Sequence, residues 1–224
     1  MKRRFIGLTV GRLLFALVAI VIITACGFIV GQAYLEIAVS ALSIIVLMYL
    51  IEGKWAGCVC GIVFCVLYSI VCYSKGFYGL TVFHVFVALP MYVVSLYTWI
   101  KNRHGDTVAV RRLSLKKLAL VVAAAAAGFG CAYLILSAAG SSNAIFDALT
   151  LSLATFGTLL LSLRYVEQWY FNLASNTTVL ILWAVAAAAD VSNLGFVIAT
   201  AIFVASNVMA LVEWIRMERA QRNG

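Results

Sequence analysis

Apolar runs close to twenty residues long, almost free of charge, alternate along this chain with short polar breaks. They fall at 10–30, 34–51, 55–73, 79–100, 118–139, 145–163, 168–188 and 192–214. A hydrocarbon core about 30 Å thick needs about 20 residues of helix to cross it. Backbone polar groups find no water there, so each crossing must satisfy its own hydrogen bonds as a helix. The pattern therefore predicts an all-α integral membrane protein with eight transmembrane helices. The breaks carry the expected turn residues: Glu52-Gly53, Ser74-Lys75-Gly76 and Gly140-Ser141-Ser142-Asn143. The exception is 101–117, a longer polar connection. Pro90 is the only proline, and its place inside the fourth run predicts a kink. The first run has a basic start like a signal peptide. No small-x-small cleavage site with a soluble domain follows it, so it is expected to stay as a helix.

Charge fixes the expected orientation. Of 16 Lys and Arg residues, all but Lys75 fall in segments that one threading places on a single side. Lys2, Arg3, Arg4 and Arg12 begin the chain; Lys101, Arg103, Arg111, Arg112, Lys116 and Lys117 crowd the central connection; Arg216, Arg219 and Arg222 close it. Short loops rich in Lys and Arg stay in the cytoplasm, which puts both termini there. A net charge of +8 in a soluble protein would point to nucleic acid. Here insertion topology accounts for it, no nucleic-acid partner is expected, and affinity for anionic membrane lipid is a by-product. The cysteines (Cys26, Cys58, Cys60, Cys65, Cys72 and Cys131) lie inside the runs and form neither a disulfide framework nor a zinc spacing. No metal, cofactor or catalytic residue is expected, and the chain does not read as an enzyme.

A repeat organises the helices. Ala41-Leu42-Ser43 leads to Glu52-Gly53-Lys54-Trp55, and two more helices end at Trp99-Ile100-Lys101. Ala148-Leu149-Thr150 leads likewise to Val166-Glu167-Gln168-Trp169, and two more helices end at Trp214-Ile215-Arg216. Two triplets with one helix between them run the same way through the membrane, as an N-terminal helix plus a 3+1+3 parallel-repeat bundle. The expected divisions are an N-terminal helix at 1–32, a first triple-helix bundle at 33–101, a basic cytoplasmic loop and linker helix at 102–144, and a second bundle with a basic tail at 145–224. Such a duplicated bundle suits an alternating-access carrier whose halves rock about a shared site.

Asp147-Ala148-Leu149-Thr150, Glu167-Gln168-Trp169 and the terminal Glu213-Trp214-Ile215-Arg216 resemble the PnuC family of bacterial vitamin B3 (nicotinamide riboside) transporters. The segment from Lys54-Trp55 to Tyr97-Thr98-Trp99 is similar to that family's first repeat, so the resemblance covers about 33–218. It implies a homotrimer in the bacterial inner membrane and facilitated diffusion of a nucleoside-like vitamin precursor. Phosphorylation by a separate cytoplasmic kinase would make uptake one-way, since this chain has no phosphate-cradling glycine loop. The family's substrate-associated motif is W-x-x-W-x-x-x-N. Trp169 and Asn176 match its ends, while Asn172 stands at the second Trp. Related branches carry thiamine, riboflavin or deoxynucleosides, and the exchange of an indole for an amide keeps those cargoes open. A non-transporting membrane subunit is the alternative outside the class.

Candidate substrate residues follow from polar stripes inside the runs. Trp169, Asn172, Asn176 and Trp183 share one face of the seventh helix, joining indole stacking surfaces to amide donors and acceptors. The eighth helix adds Asn193, Thr200 and Asn207 at heptad spacing, and Tyr92 aligns with Asn207 in the first repeat. Tyr68 sits on the stripe Cys58, Gly61, Cys65, Tyr68, Cys72, where small residues favour close helix packing. His84 is the only histidine inside a run. Glu36, Asp147 and Asp190 are expected at outer helix ends, where unpaired N–H groups tolerate acids.

Overall fold

The computed structural model describes residues 4–5, 8–29, 31–74, 78–140, 143–189 and 194–223. The expectations for Lys75, Asp190 and Asn193 lie outside them. Among the described residues the chain forms eight helices long and apolar enough to cross a membrane. It divides into two compact units, Met1–Ala109 and Val110–Gly224.

In the first unit a short antiparallel hairpin, β1 (Arg4–Phe5) with β2 (Leu8–Thr9), precedes α1 (Val10–Ile29). Helices α2 (Tyr34–Ile51) and α3 (Ala56–Ser74) follow. The fourth span is composite: α4 (Tyr78–Phe83), a π-helical turn (His84–Ala88) and α5 (Leu89–Lys101). Pro90 explains the wide turn. It has no N–H to give, and the backbone widens just ahead of it, Leu89 N–H bonding the His84 carbonyl five residues back. The kink expected at Pro90 thus takes the form of a π turn on its N-terminal side. A second hairpin, β3 (Arg103–His104) with β4 (Thr107–Val108), turns at Gly105 and closes the unit. Helix α1 packs on α2, α2 on α3, and α3 on α5.

The second unit has α6 (Leu115–Ala138), α7 (Ala144–Ser162), α8 (Gln168–Ala189) and α9 (Leu194–Arg222), each packed on the next. Ser114 caps α6 by accepting from the Lys117 N–H. A core of Ala125, Leu160, Tyr165 and Phe171 joins α6, α7 and α8. Helix α9 runs to Arg222, two turns past the expected end of its apolar run, because the sequence beyond Arg216 remains helix-forming although polar.

Candidate functional site

Both units contain one turn of the same construction. Helix α2 ends with Gly53 in the left-handed region at φ 64°, and α7 ends with Arg164 at φ 65°. After each, the chain closes a Schellman motif: Gly53 N–H bonds the Leu50 carbonyl and Lys54 N–H that of Tyr49, while Arg164 N–H bonds Leu161 and Tyr165 N–H bonds Leu160. The first turn of the next helix also matches. Gly57 N–H bonds Lys54 and Cys58 N–H bonds Trp55, as Gln168 N–H bonds Tyr165 and Trp169 N–H bonds Val166. Gly53 and Arg164 are 111 positions apart, the same separation as Glu36 and Asp147 in the first turns of α2 and α7.

This register corrects the repeat alignment read from sequence. Trp55 does not correspond to Trp169: it is 40 % exposed, whereas Trp169 is 1 % exposed. The residue equivalent to Trp169 is Cys58, also buried. The pairing of Ala41-Leu42-Ser43 with Ala148-Leu149-Thr150 is off by one turn as well. A slip of one turn leaves the same helix face inward, so apolar sequences match almost as well at either register. Trp99 and Trp214 remain partners at the ends of their triplets, both fully buried.

The corrected register superimposes the two stripes. Gly57, Gly61, Cys65 and Cys72 of α3 occupy the positions of Gln168, Asn172, Asn176 and Trp183 of α8. In α3 the small residues are covered. A Cβ on Gly57 would lie 2.9 Å from the Leu50 backbone nitrogen, and one on Gly61 would fall within the Tyr92 ring's space. The close packing expected of this stripe's small residues is present at Gly61, against Tyr92, and Gly57 meets Leu50 as closely. Tyr68 stacks on Phe64 at 5.1 Å between centroids and meets His84 edge-on at 4.7 Å. His84 donates from Nδ1 to the Leu80 carbonyl at 2.8 Å, which fixes its tautomer.

In α8 the same face carries amides. Asn172 faces Gly157 of α7 so closely that a Cβ there would lie 2.6 Å from Asn172 Oδ1. Asn176 donates from Nδ2 to the Asn172 backbone carbonyl at 3.0 Å. Trp169 meets Trp214 edge-on at 5.8 Å, and Trp183 stacks on Phe196 at 4.2 Å. Asn207 is buried on α9 and donates to the Phe203 carbonyl at 2.9 Å, as Ser206 and Thr200 donate to Ile202 and Phe196. Trp169, Asn172, Asn176, Trp183 and Asn207 are thus in the second unit, and Tyr68 and Tyr92 in the first.

A residue absent from the expected set stands out here. Gln168 is fully buried, and neither Nε2 nor Oε1 meets a hydrogen-bond partner among the described residues. The Trp169 Nε1–H and Glu167 Oε2 are likewise buried and unpartnered. Leaving such groups unsatisfied costs about 1–3 kcal/mol each. The sequence signal was its place four residues before Asn172, one helical turn along the same face.

At this end of α8 the remaining charges are engaged. Glu167 Oε1 accepts from Leu113 N–H at 3.2 Å and lies 3.9 Å from Arg112 Nε. Arg111 N–H bonds the Arg164 carbonyl, and its guanidinium lies 4.8 Å over the Tyr165 ring. Burial and then the Arg111 charge push the Arg164 guanidinium below its ordinary range. In the first unit Glu52 does the corresponding work, accepting from Thr9 N–H at 3.0 Å and pairing with Arg12 at 2.8 Å.

The family description "Nicotinamide mononucleotide transporter" matches residues 33–216, from α2 to near the end of α9. The chain belongs to this family. As a member it is a multi-pass membrane transporter and not an enzyme. It is 24 % identical over 193 residues to the nicotinamide riboside transporter PnuC of Neisseria mucosa, covering 83 % of this chain and 73 % of that one. It is 27 % identical over 137 residues to the protein of the same name from Haemophilus influenzae, covering 59 % of this chain and 61 % of the relative. The crystal structure of the vitamin B3 transporter PnuC shares the fold at TM-score 0.80 and 22 % identity, covering 96 % of this chain and 95 % of that one. The eight-helix transporter fold is the one the apolar runs and repeat led to.

Proposed function

We propose that this transporter carries nicotinamide riboside, or a closely similar nucleoside-like vitamin precursor, across a bacterial inner membrane. The observation that carries the reading is the face of α8, where the buried Trp169 indole and the half-buried Asn172, Asn176 and Trp183 replace the small residues that the first repeat has at the same positions. Trp169 and Trp183 supply flat apolar surface for a base. Asn172 and Asn176 supply donor and acceptor pairs for ribose hydroxyls, and Asn207 adds a buried amide from α9. No group in this set hydrolyses ATP, and among the described residues no acid–base pair stands at mid-span to couple protons. The family likeness supports facilitated diffusion, with phosphorylation by a separate cytoplasmic kinase holding the product inside. Both termini are cytoplasmic by the distribution of Lys and Arg, and a homotrimer follows from the family likeness.

The test is uptake of labelled nicotinamide riboside by proteoliposomes containing the purified full-length protein. Uptake that equilibrates without ATP or an ion gradient is expected; accumulation above the outside concentration without a kinase excludes facilitated diffusion. Asn172, standing where the family motif has a second Trp, favours a second reading in which thiamine, riboflavin or a deoxynucleoside is the preferred cargo. Parallel titrations with those ligands rank them directly. Labelling of an introduced cysteine in 101–117 from the cytoplasmic side alone is the result expected for the orientation.

A further inference from the structure

The buried amide of Gln168 belongs to no part of the reading above, yet it heads a regular series. Gln168, Asn172 and Asn176 are spaced four and four, so three carboxamides stand on one face of α8 over about 12 Å of helix rise. The corresponding residues of α3 are Gly57, Gly61 and Cys65, which bear no amide. The three amides are not equally engaged. Asn176 gives one N–H to the helix at 3.0 Å, and Asn172 Oδ1 is pressed against Gly157. Gln168 is 0 % exposed and keeps both its donor and its acceptor unpartnered among the described residues. The first-turn N–H groups beside it are used by Tyr165, Val166 and Glu167. The Trp169 Nε1–H next to it is also buried without a partner.

From this geometry we infer that Gln168 recognises the carboxamide of the substrate's base, and so sets specificity for an amide over an acid. This rests on the nucleoside-carrier reading and deepens it by naming the residue that tells a primary carboxamide on the base from its acid. Gln168 Nε2–H donates to the ligand carbonyl while Oε1 accepts from the ligand N–H, a two-point pair that a primary amide completes and a carboxylate does not. A carboxylate offers acceptors only, so it meets Oε1 with like partial charge and leaves that oxygen unsatisfied in a buried site. The series also orients the ligand. Its base lies at the Gln168–Trp169 end, beside an indole, and its ribose reaches toward Asn172 and Asn176.

The experiment is calorimetric titration of the purified full-length protein with nicotinamide riboside and with its carboxylate counterpart, nicotinic acid riboside. The wild type is expected to favour the amide by about tenfold or more, as sites built around a hydrogen-bonding pair do. Gln168→Met keeps the side-chain length without the amide; it is expected to lose that preference by weakening nicotinamide riboside binding while leaving the acid's affinity unchanged. Gln168→Glu keeps an acceptor without the donor, and is expected to retain part of the amide affinity and to bind the acid more weakly still. Unchanged amide-over-acid preference in Gln168→Met, equal weakening of both ligands by it, or undiminished nicotinamide riboside affinity in Gln168→Glu overturns the assignment while leaving the carrier reading intact. A wild type that binds thiamine or a deoxynucleoside but no carboxamide nucleoside overturns both this inference and nicotinamide riboside as cargo.

Discussion

Helices α3 and α8 begin from the same turn, in the same register, and present different chemistry on the same face. In α3 that face is Gly57, Gly61 and Cys65, sealed by Leu50 and the Tyr92 ring. In α8 it is Gln168, Asn172 and Asn176, flanked by Trp169 and Trp183. Membrane helices gain little from apolar contact with one another, because lipid is equally apolar, so close packing of small residues and interhelical polar contacts decide their association. The first repeat uses the former at these positions. The second spends them on amides whose hydrogen-bonding capacity the helix itself does not exhaust. One half of a duplicated fold has kept this face for packing, while the other carries groups suited to a solute.

The substitution expected to break this contrast most completely is Asn176→Leu. It removes the amide at the end of the series, and uptake of nicotinamide riboside into proteoliposomes is expected to be abolished with insertion and folding retained. Cys65→Ala at the equivalent position of α3 is expected to leave uptake near wild type. Equal losses in both variants would show that the face serves packing in both repeats.

Stability effects come next. Glu52 joins the segment before α1 to the α2–α3 turn through Thr9 N–H and an ion pair with Arg12, both side chains mostly buried. Removing one partner of a buried pair costs about 3–5 kcal/mol, so Glu52→Ala should lower the unfolding midpoint sharply in chemical denaturation. Glu167 makes the matching bond to Leu113 N–H, but its Arg112 partner is half exposed and 3.9 Å away. Glu167→Ala is expected to cost less, on the order of 1–2 kcal/mol.

Smaller effects separate packing from binding. Gly61→Ala forces the Tyr92 ring out of its place, and overpacking of this kind costs about 1–3 kcal/mol; thermal unfolding in detergent reads it, and a parallel loss of ligand affinity would keep Tyr92 in the site. Gly157→Ala displaces the Asn172 amide, the end of a side chain and not backbone. Its effect on unfolding should be slight, and its effect on nicotinamide riboside affinity a few-fold, on the order of 1 kcal/mol. The reverse pattern would place Asn172 in the packing between α7 and α8 and remove it from the ligand.

Much of the fold was legible because its causes are local. A run of about twenty apolar residues in lipid has one way to satisfy its backbone, and the helices follow the runs to within a few residues, except that α9 continues two turns beyond its run. Gly53 announced its turn, since a left-handed residue is cheapest as glycine. Arg164 did not: it holds the same conformation at φ 65° with a full side chain, supported by Arg111 N–H on its carbonyl. Without that turn the sequence pattern pairs Trp55 with Trp169, one turn away from the register the two turns set.

By itself the sequence determined the number of crossings, the duplicated plan and the polar stripe on α8, since hydropathy and the 3.6-residue period act within a single helix. The tertiary structure decided which face of α3 answers to that stripe, that Tyr92 covers Gly61, and that Gln168 is buried with its amide unpaired. Those depend on contacts between helices, and side chains that look alike along a sequence differ in energy only once their neighbours are in place.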